Sequence, residues 1–216
     1  RCVTKPRGYA GDAGLIDLIY DRTPPASATP RGLRIFSHGI EFQASEGVRQ
    51  RRNLAEQFVG EAARAGKRIL SLACGHFREG DTLIGEEFGE IHLVDQDPLS
   101  LNVVRDKFGD TVQCHEANVF SYLRGAIARG EKFDLVYTLG LTDYLDDRAM
   151  ALLHKMAKLR QQLTAARGLQ HHPIHHQGGL GVGGGTEPVR KCGGFVPVAG
   201  VCAPAMWRRK EYDSSL

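Results

Sequence analysis

From Lys67 to about Gln161 apolar runs of two kinds take turns, and that alternation limits the fold more than any other property of the chain. Short β-rich runs (RILSLA, EIHLVD, TVQCHEA, KFDLVYTL) each lead into a longer stretch with helical spacing (REGDTLIGEEFG, PLSLNVVRDKFG, VFSYLRGAIARG, DRAMALLHKMAKLRQQL). Four strand–helix units joined by short connections predict an α/β fold, a parallel sheet doubly wound by helices on both faces. A chain of 216 residues, 42% hydrophobic and 25% charged, has the material for one such domain with a full core.

Ahead of this rhythm, residues 1–66 read as a helical cap. GDAGLIDLIYD places Leu15, Leu18 and Ile19 at i, i+3 and i+4, one apolar helical face, and TPPASATPRG then reads as a loop. A second helix is expected over 45–65, with Ser45 as its N-cap and Val48, Leu54, Phe58 and Val59 toward the core. Residues 67–160 form the expected core, and residues 161–216 are a Gly- and His-rich tail in which the period is lost.

In doubly wound sheets a ligand sits at the carboxyl ends of the strands, near the switch point. The first strand ends at Ala73-Cys74-Gly75, where small residues let a ligand approach the backbone. The second ends at Asp95, twenty residues after Gly75, with Gln96 beside it; an acid there can accept both hydroxyls of a ribose. Asp97, just before Pro98, is the better-placed helix cap. Loop and acid together fit either NAD or S-adenosylmethionine. The large residues His76, Phe77 and Arg78 follow the glycine, where a pyrophosphate would require close approach, and this favours S-adenosylmethionine, which has no phosphate. At the third strand end Asn118 stands before Val119, placed either for an adenine amino group or as a helix cap. At the fourth, Thr138, Leu139, Gly140 and Leu141 line the crevice, Asp143 and Tyr144 follow, and Asp146 reads as a cap.

Four segments resemble the class I S-adenosylmethionine-dependent methyltransferases, in the branch related to the enzyme that makes 3-hydroxypalmitic acid methyl ester. They are KPRGYAGDAGLIDLIYDR, GVRQRRNLAEQ, RILSLACGHFREGDTL with IHLVDQDPLSL, and FDLVYTLGLTDYLDD, together most of residues 5–160. The resemblance implies a Rossmann-like methyltransferase sheet with an N-terminal helical lid and S-adenosylmethionine as cofactor. It implies cofactor contacts from Ala73, Cys74, Gly75, Asp95, Gln96, Asn118, Val119, Thr138, Leu139 and Gly140. Asp143 and Tyr144 would stand beside the transferred methyl, and Tyr9, Asp12, Arg49 and Arg52 would close over a small-molecule, fatty-acid-like acceptor. The chain departs from the family's Pro-Gly at His76-Phe77, which sets two large side chains at the loop, and it departs again in everything past Gln161.

The tail is expected to leave the sheet incomplete, with the fourth strand as a bare edge, and to reflect a shifted reading frame near Arg160. Its HHPIHH stretch, with Cys192 and Cys202 as further donors, admits a zinc or nickel reading, which is disfavoured because Pro173 disrupts any helix that would align the imidazoles and there is no C-x-x-C. The net charge of +3, scattered along the chain, does not fit a nucleic-acid partner, and no apolar stretch reaches the roughly 20 residues of a membrane span. Five cysteines, an odd number without C-x-x-C pairs, suit a reduced, cytoplasmic setting.

Overall fold

A computed structural model describes Arg7, residues 11–160 and the pair Val196–Pro197. The elements run α1 (Ala13–Asp21), α2 (Pro30–Glu41), α3 (Gln43–Arg64), β1 (Ile69–Leu72), β2 (Ile91–Asp95), α4 (Pro98–Phe108), β3 (Gln113–Glu116), α5 (Val119–Ala128), β4 (Leu135–Thr138), α6 (Asp147–Arg160) and β5 (Val196–Pro197). The sheet is parallel in the order β3-β2-β1-β4-β5. Its switch point lies between β1 and β4, as the alternating sequence predicts for a Rossmann-like α/β fold.

Burial on both faces explains why the central strands are apolar throughout. Ile69, Ile91, Leu93 and Tyr137 point to one side, where Val59 and Ala63 of α3 and Leu101, Val104 and Phe108 of α4 complete a core. Leu70, Leu72, Val94 and Val136 point to the other, against Leu123 and Ala126 of α5 and Leu153 and Ala157 of α6. Period-2 alternation along each strand thus feeds two cores instead of one. No helix among the described residues is long and apolar enough to cross a membrane.

Four local expectations need correction. TPPASATPRG does not remain a loop: Thr29 accepts a bond from the Gly32 amide at 3.1 Å, Pro30 takes the first helical position, and α2 begins there. Cap and proline are a helix-start pair, hidden here by the surrounding proline-rich composition. Ser45 is not an N-cap; it lies inside α3 and its hydroxyl donates to the Gly39 carbonyl at 2.6 Å. Leu54 is 50% exposed, whereas Val59 is fully buried and Phe58 packs against the core. Finally, β4 is not bare over its whole length: Val196 and Pro197 pair in parallel with Tyr137 and Thr138. The rest of the tail, including HHPIHH, Cys192 and Cys202, lies outside the described residues.

Candidate functional site

The loop after β1 is built from left-handed residues. Ala73, Gly75 and Phe77 have φ of 55°, 54° and 49°. Glycine adopts this conformation freely, while Ala73 and Phe77 are strained in it, and such strain gathers where a ligand must be held. Asp95, at the tip of β2, fixes the loop: one carboxylate oxygen accepts from the Gly75 amide at 2.8 Å and the other from the Asp97 amide at 2.9 Å. Burial raises the pKa of Asp95 against the pull of these backbone donors. Each oxygen takes one of these two bonds, so acceptor capacity is left for a ligand hydroxyl.

The two large residues expected to crowd this loop turn away from it. Phe77 is fully buried in the first core, with its ring 5.4 Å from that of Phe108. The same ring fills the space that a side chain at Gly80 would need, which accounts for that glycine. His76 is held by Asp17 at 2.6 Å and by Arg7 at 3.2 Å. With Phe77 turned inward, REGDTL does not start the expected α-helix: it forms a six-residue 3-10 segment, Arg78–Leu83, whose first residue follows Phe77 in the left-handed region.

The start of α1 lies on the loop, and a Cβ placed on Gly75 would stand 3.4 Å from the Ala13 side chain. Asp12 caps α1 through the Leu15 amide at 2.9 Å and is buried. Ion pairs fasten this cover. Arg7 donates to Asp97 and to the Ser100 hydroxyl, both at 2.9 Å. Arg78 pairs with Asp17, Asp21 and Asp81, and Lys107 with Asp81. Burial pushes the Asp17 carboxyl up, but His76 and Arg78 together hold it below the usual range. A side chain at Gly11 would strike the Tyr144 hydroxyl, so cover and far wall meet there. Tyr9 lies outside the described residues.

On that far wall Thr138 is buried and its Oγ1 has no hydrogen-bond partner among the described residues. Leu139 packs against the first core; Gly140 precedes the 3-10 turn Leu141–Tyr144, where Asp143 and Tyr144 are exposed. Asn118 caps α5 through the Phe120 amide at 3.0 Å, which leaves its amide nitrogen available. Gln96 is exposed beside Asp95. Val119 and Cys74 are buried and turned into the two cores, and burial drives the Cys74 thiol up, which suits packing better than reactivity. Asp97 and Asp146 cap α4 and α6, through the amides of Leu99 and Ala149.

Of the arginines of α3, Arg49 is a brace: it holds Glu46 at 2.7 Å and the carbonyls of Ile19 and Ile40, tying α1 and α2 to α3. Arg52 lies against α1 instead, with its guanidinium 5.2 Å from the centre of the Tyr20 ring. Sequence reasoning missed three residues here. Arg51 pairs with Asp143 at 3.3 Å. Arg7 is the clasp just described. Glu79 is buried beneath the loop and accepts from the Tyr137 hydroxyl at 2.8 Å; burial raises its pKa to about 7. The signal for Glu79 was hidden, because in a continuous helix REGDTL would have placed it on an ordinary charged face.

No family model matches the chain, and no curated protein does. Among solved structures it is similar to a possible exported protein from Bordetella parapertussis, with 17% identity and a TM-score of 0.54 over 70% of this chain and 51% of that one. It is also similar to a SAM-dependent methyltransferase from Agrobacterium tumefaciens, with 10% identity and a TM-score of 0.43 over 52% of this chain and 41% of that one. A third similar structure is a TehB-like SAM-dependent methyltransferase from Corynebacterium glutamicum, with 18% identity and a TM-score of 0.40 over 50% and 55%. The chain spans about half the length of these structures. The first likeness supports the α/β fold.

Proposed function

We propose that the crevice between β1 and β4 binds S-adenosylmethionine and that the chain is a methyltransferase acting on a small molecule. The observation that carries this reading is the Gly75–Asp95 closure at the switch point. It sets a small-residue turn and a carboxylate side by side, while the segment that follows is a short 3-10 turn. A dinucleotide would ask for an α-helix N-terminus against its pyrophosphate. The donor set fits the cofactor: Asp95 retains acceptor capacity for ribose hydroxyls, and the buried Thr138 hydroxyl has no partner among the described residues. Asp95, Gly75 and Ala73 would hold the ribose and methionine parts, with Asn118 beside the base. S-adenosylmethionine supplies a methyl group activated by a sulfonium.

The acceptor class we propose is a fatty or hydroxy-fatty acid carboxylate, in line with the segments that resemble that branch. A carboxylate is already ionised at neutral pH, so the chain has only to align it and exclude water. A hydroxyl acceptor would instead need Asp143 or Tyr144 to take its proton. The change of character past Gln161 is read as a frame shift near Arg160, which translation of the gene in its other frames tests by recovering an apolar strand. Calorimetric titration with S-adenosylmethionine tests the reading as a whole. Binding, with a raised melting midpoint, is expected. Absence of binding at millimolar cofactor overturns it and leaves a fold without catalysis, and preferential binding of NAD would reassign the site.

A further inference from the structure

Two adjacent arginines of α3, Arg51 and Arg52, are largely buried yet make few hydrogen bonds among the described residues. Both lie about two helical turns before Phe58, whose ring meets Tyr137 of β4 edge to face at 5.7 Å. The start of α3 therefore overhangs the carboxyl end of β4, beside the turn that carries Asp143. The Arg52 guanidinium lies 5.2 Å from the centre of the Tyr20 ring, and the charge of Arg51 also reaches the Tyr20 hydroxyl, so both side chains lie in the same neighbourhood.

Arg51 is only 9% exposed, yet among the described residues its side chain makes one long hydrogen bond, Nη1 to Asp143 Oδ2 at 3.3 Å. Arg52 reaches Glu56 only at 3.7 Å, its guanidinium lies over the Tyr20 ring, and its buried Nε has no hydrogen-bond partner among the described residues. Each guanidinium offers five donors in a planar fork shaped for a carboxylate, and buried donors are rarely left unmade in a finished structure. Arg49, by contrast, spends its donors on Glu46 and two carbonyls. The acceptor that such donors suit is an anion. Asp143 shows its type: a carboxylate, 38% exposed, on an exposed turn, resting on Arg51 through a single oxygen.

We propose that Arg51 and Arg52 together bind the carboxylate of the acceptor, and that the Asp143 carboxylate competes with it for Arg51. This rests on the crevice being the methyl-transfer site. It makes the two arginines positioning residues and gives Asp143 a gating role: the acceptor enters by displacing it.

The test is calorimetric titration of the full chain with decanoate and benzoate, using the corresponding amides as neutral controls. The carboxylates are expected to bind about tenfold or more tighter than the amides. Arg51→Gln and Arg52→Gln should each erase that preference, and Arg51→Lys should restore only part of it. Asp143→Asn should act in the opposite direction, tightening carboxylate binding by about threefold or more. A merely structural ion pair would not produce that reversal, and Asp143→Asn alters an exposed residue without threatening the fold. Equal binding of acid and amide overturns the proposal, as does weakened binding in Asp143→Asn. Titration of the same proteins with S-adenosylmethionine separates the two levels. Cofactor binding without carboxylate preference defeats this inference alone; absence of cofactor binding to the unsubstituted chain defeats the reading beneath it.

Discussion

The two ends of the sheet are built to different standards. At the amino end Arg68 reaches Glu90 at 2.6 Å and the Lys132 carbonyl at 2.9 Å, and its amide meets Asp134 at 2.8 Å. Glu90 also takes His92 and Gln113, both at 2.8 Å, and His92 meets His115 at 3.0 Å. At the carboxyl end three buried atoms lack a hydrogen bond among the described residues. They are Thr138 Oγ1, Arg52 Nε and Asp17 Oδ1, the last close to Arg78 but misaligned with it. Strained Ala73 and Phe77 sit there too, together with a buried carboxyl at Glu79. One end is optimised for holding the strands; the other keeps polar capacity open and gives up stability for it, as binding sites do. Removing polar or strained groups at the carboxyl end should therefore stabilise the chain, and the same treatment at the amino end should weaken it.

Glu79→Gln tests that rule hardest. Burial raises the Glu79 pKa from its ordinary 4.5 to about 7, so the folded chain binds this proton more tightly than the unfolded chain does. The associated stability is fully present below pH 4.5 and is lost as the pH rises through 7. Glutamine keeps an acceptor for Tyr137 but cannot ionise. In urea denaturation the variant should gain on the parent by about 3 kcal/mol between pH 4 and pH 8. A gap that stays constant with pH would show that Glu79 is ionised in place at no cost.

At the opposite end His92→Ala removes a buried ring that bonds to Glu90 and His115 and packs edge-on against Phe133. A loss of about 2 kcal/mol is expected in the same assay. Next, Thr138→Val replaces a buried hydroxyl that has no partner among the described residues with a methyl and should raise stability by about 1 kcal/mol. It should also weaken S-adenosylmethionine binding, measured by calorimetry. A destabilised Val variant would mean that the hydroxyl is satisfied in solution, and the contrast between the ends would shrink. The smallest effect belongs to Ala73→Gly. Relief of the left-handed strain outweighs the extra freedom of glycine in the unfolded chain by about 0.5 kcal/mol, readable as a small rise in melting midpoint.

How much of this the residues disclose depends on the range of the interactions involved. The four strands and the helices α4, α5 and α6 are written in local periodicity, and so are the caps at Asp97, Asn118 and Asp146. That Gly75 and Asp95 stand at neighbouring strand tips was legible too, because strand tips in a parallel sheet have a predictable place, but the bond between them was not. The start of α2 was present in Thr29-Pro30 but was outweighed by loop-like composition. The fate of REGDTL was not written locally at all: it turns on Phe77 swinging into a core formed with Phe108, thirty-one residues away. The three arginines of GVRQRRNLAEQ look alike in sequence. Only the packing of α1, α2 and the Asp143 turn around α3 makes Arg49 a brace and leaves Arg51 and Arg52 largely buried with few hydrogen bonds among the described residues.

The clasp at Arg7 has a meaning for the order of events on the ribosome. Its partners Asp97 and Ser100 are made some ninety residues later, so the N-terminal cover cannot find its seat until β2 and the first turn of α4 have emerged. Contacts of such long sequence separation form late. The segment around Arg7 is made well before the strand and helix on which it docks, and the crevice stays uncovered until they exist.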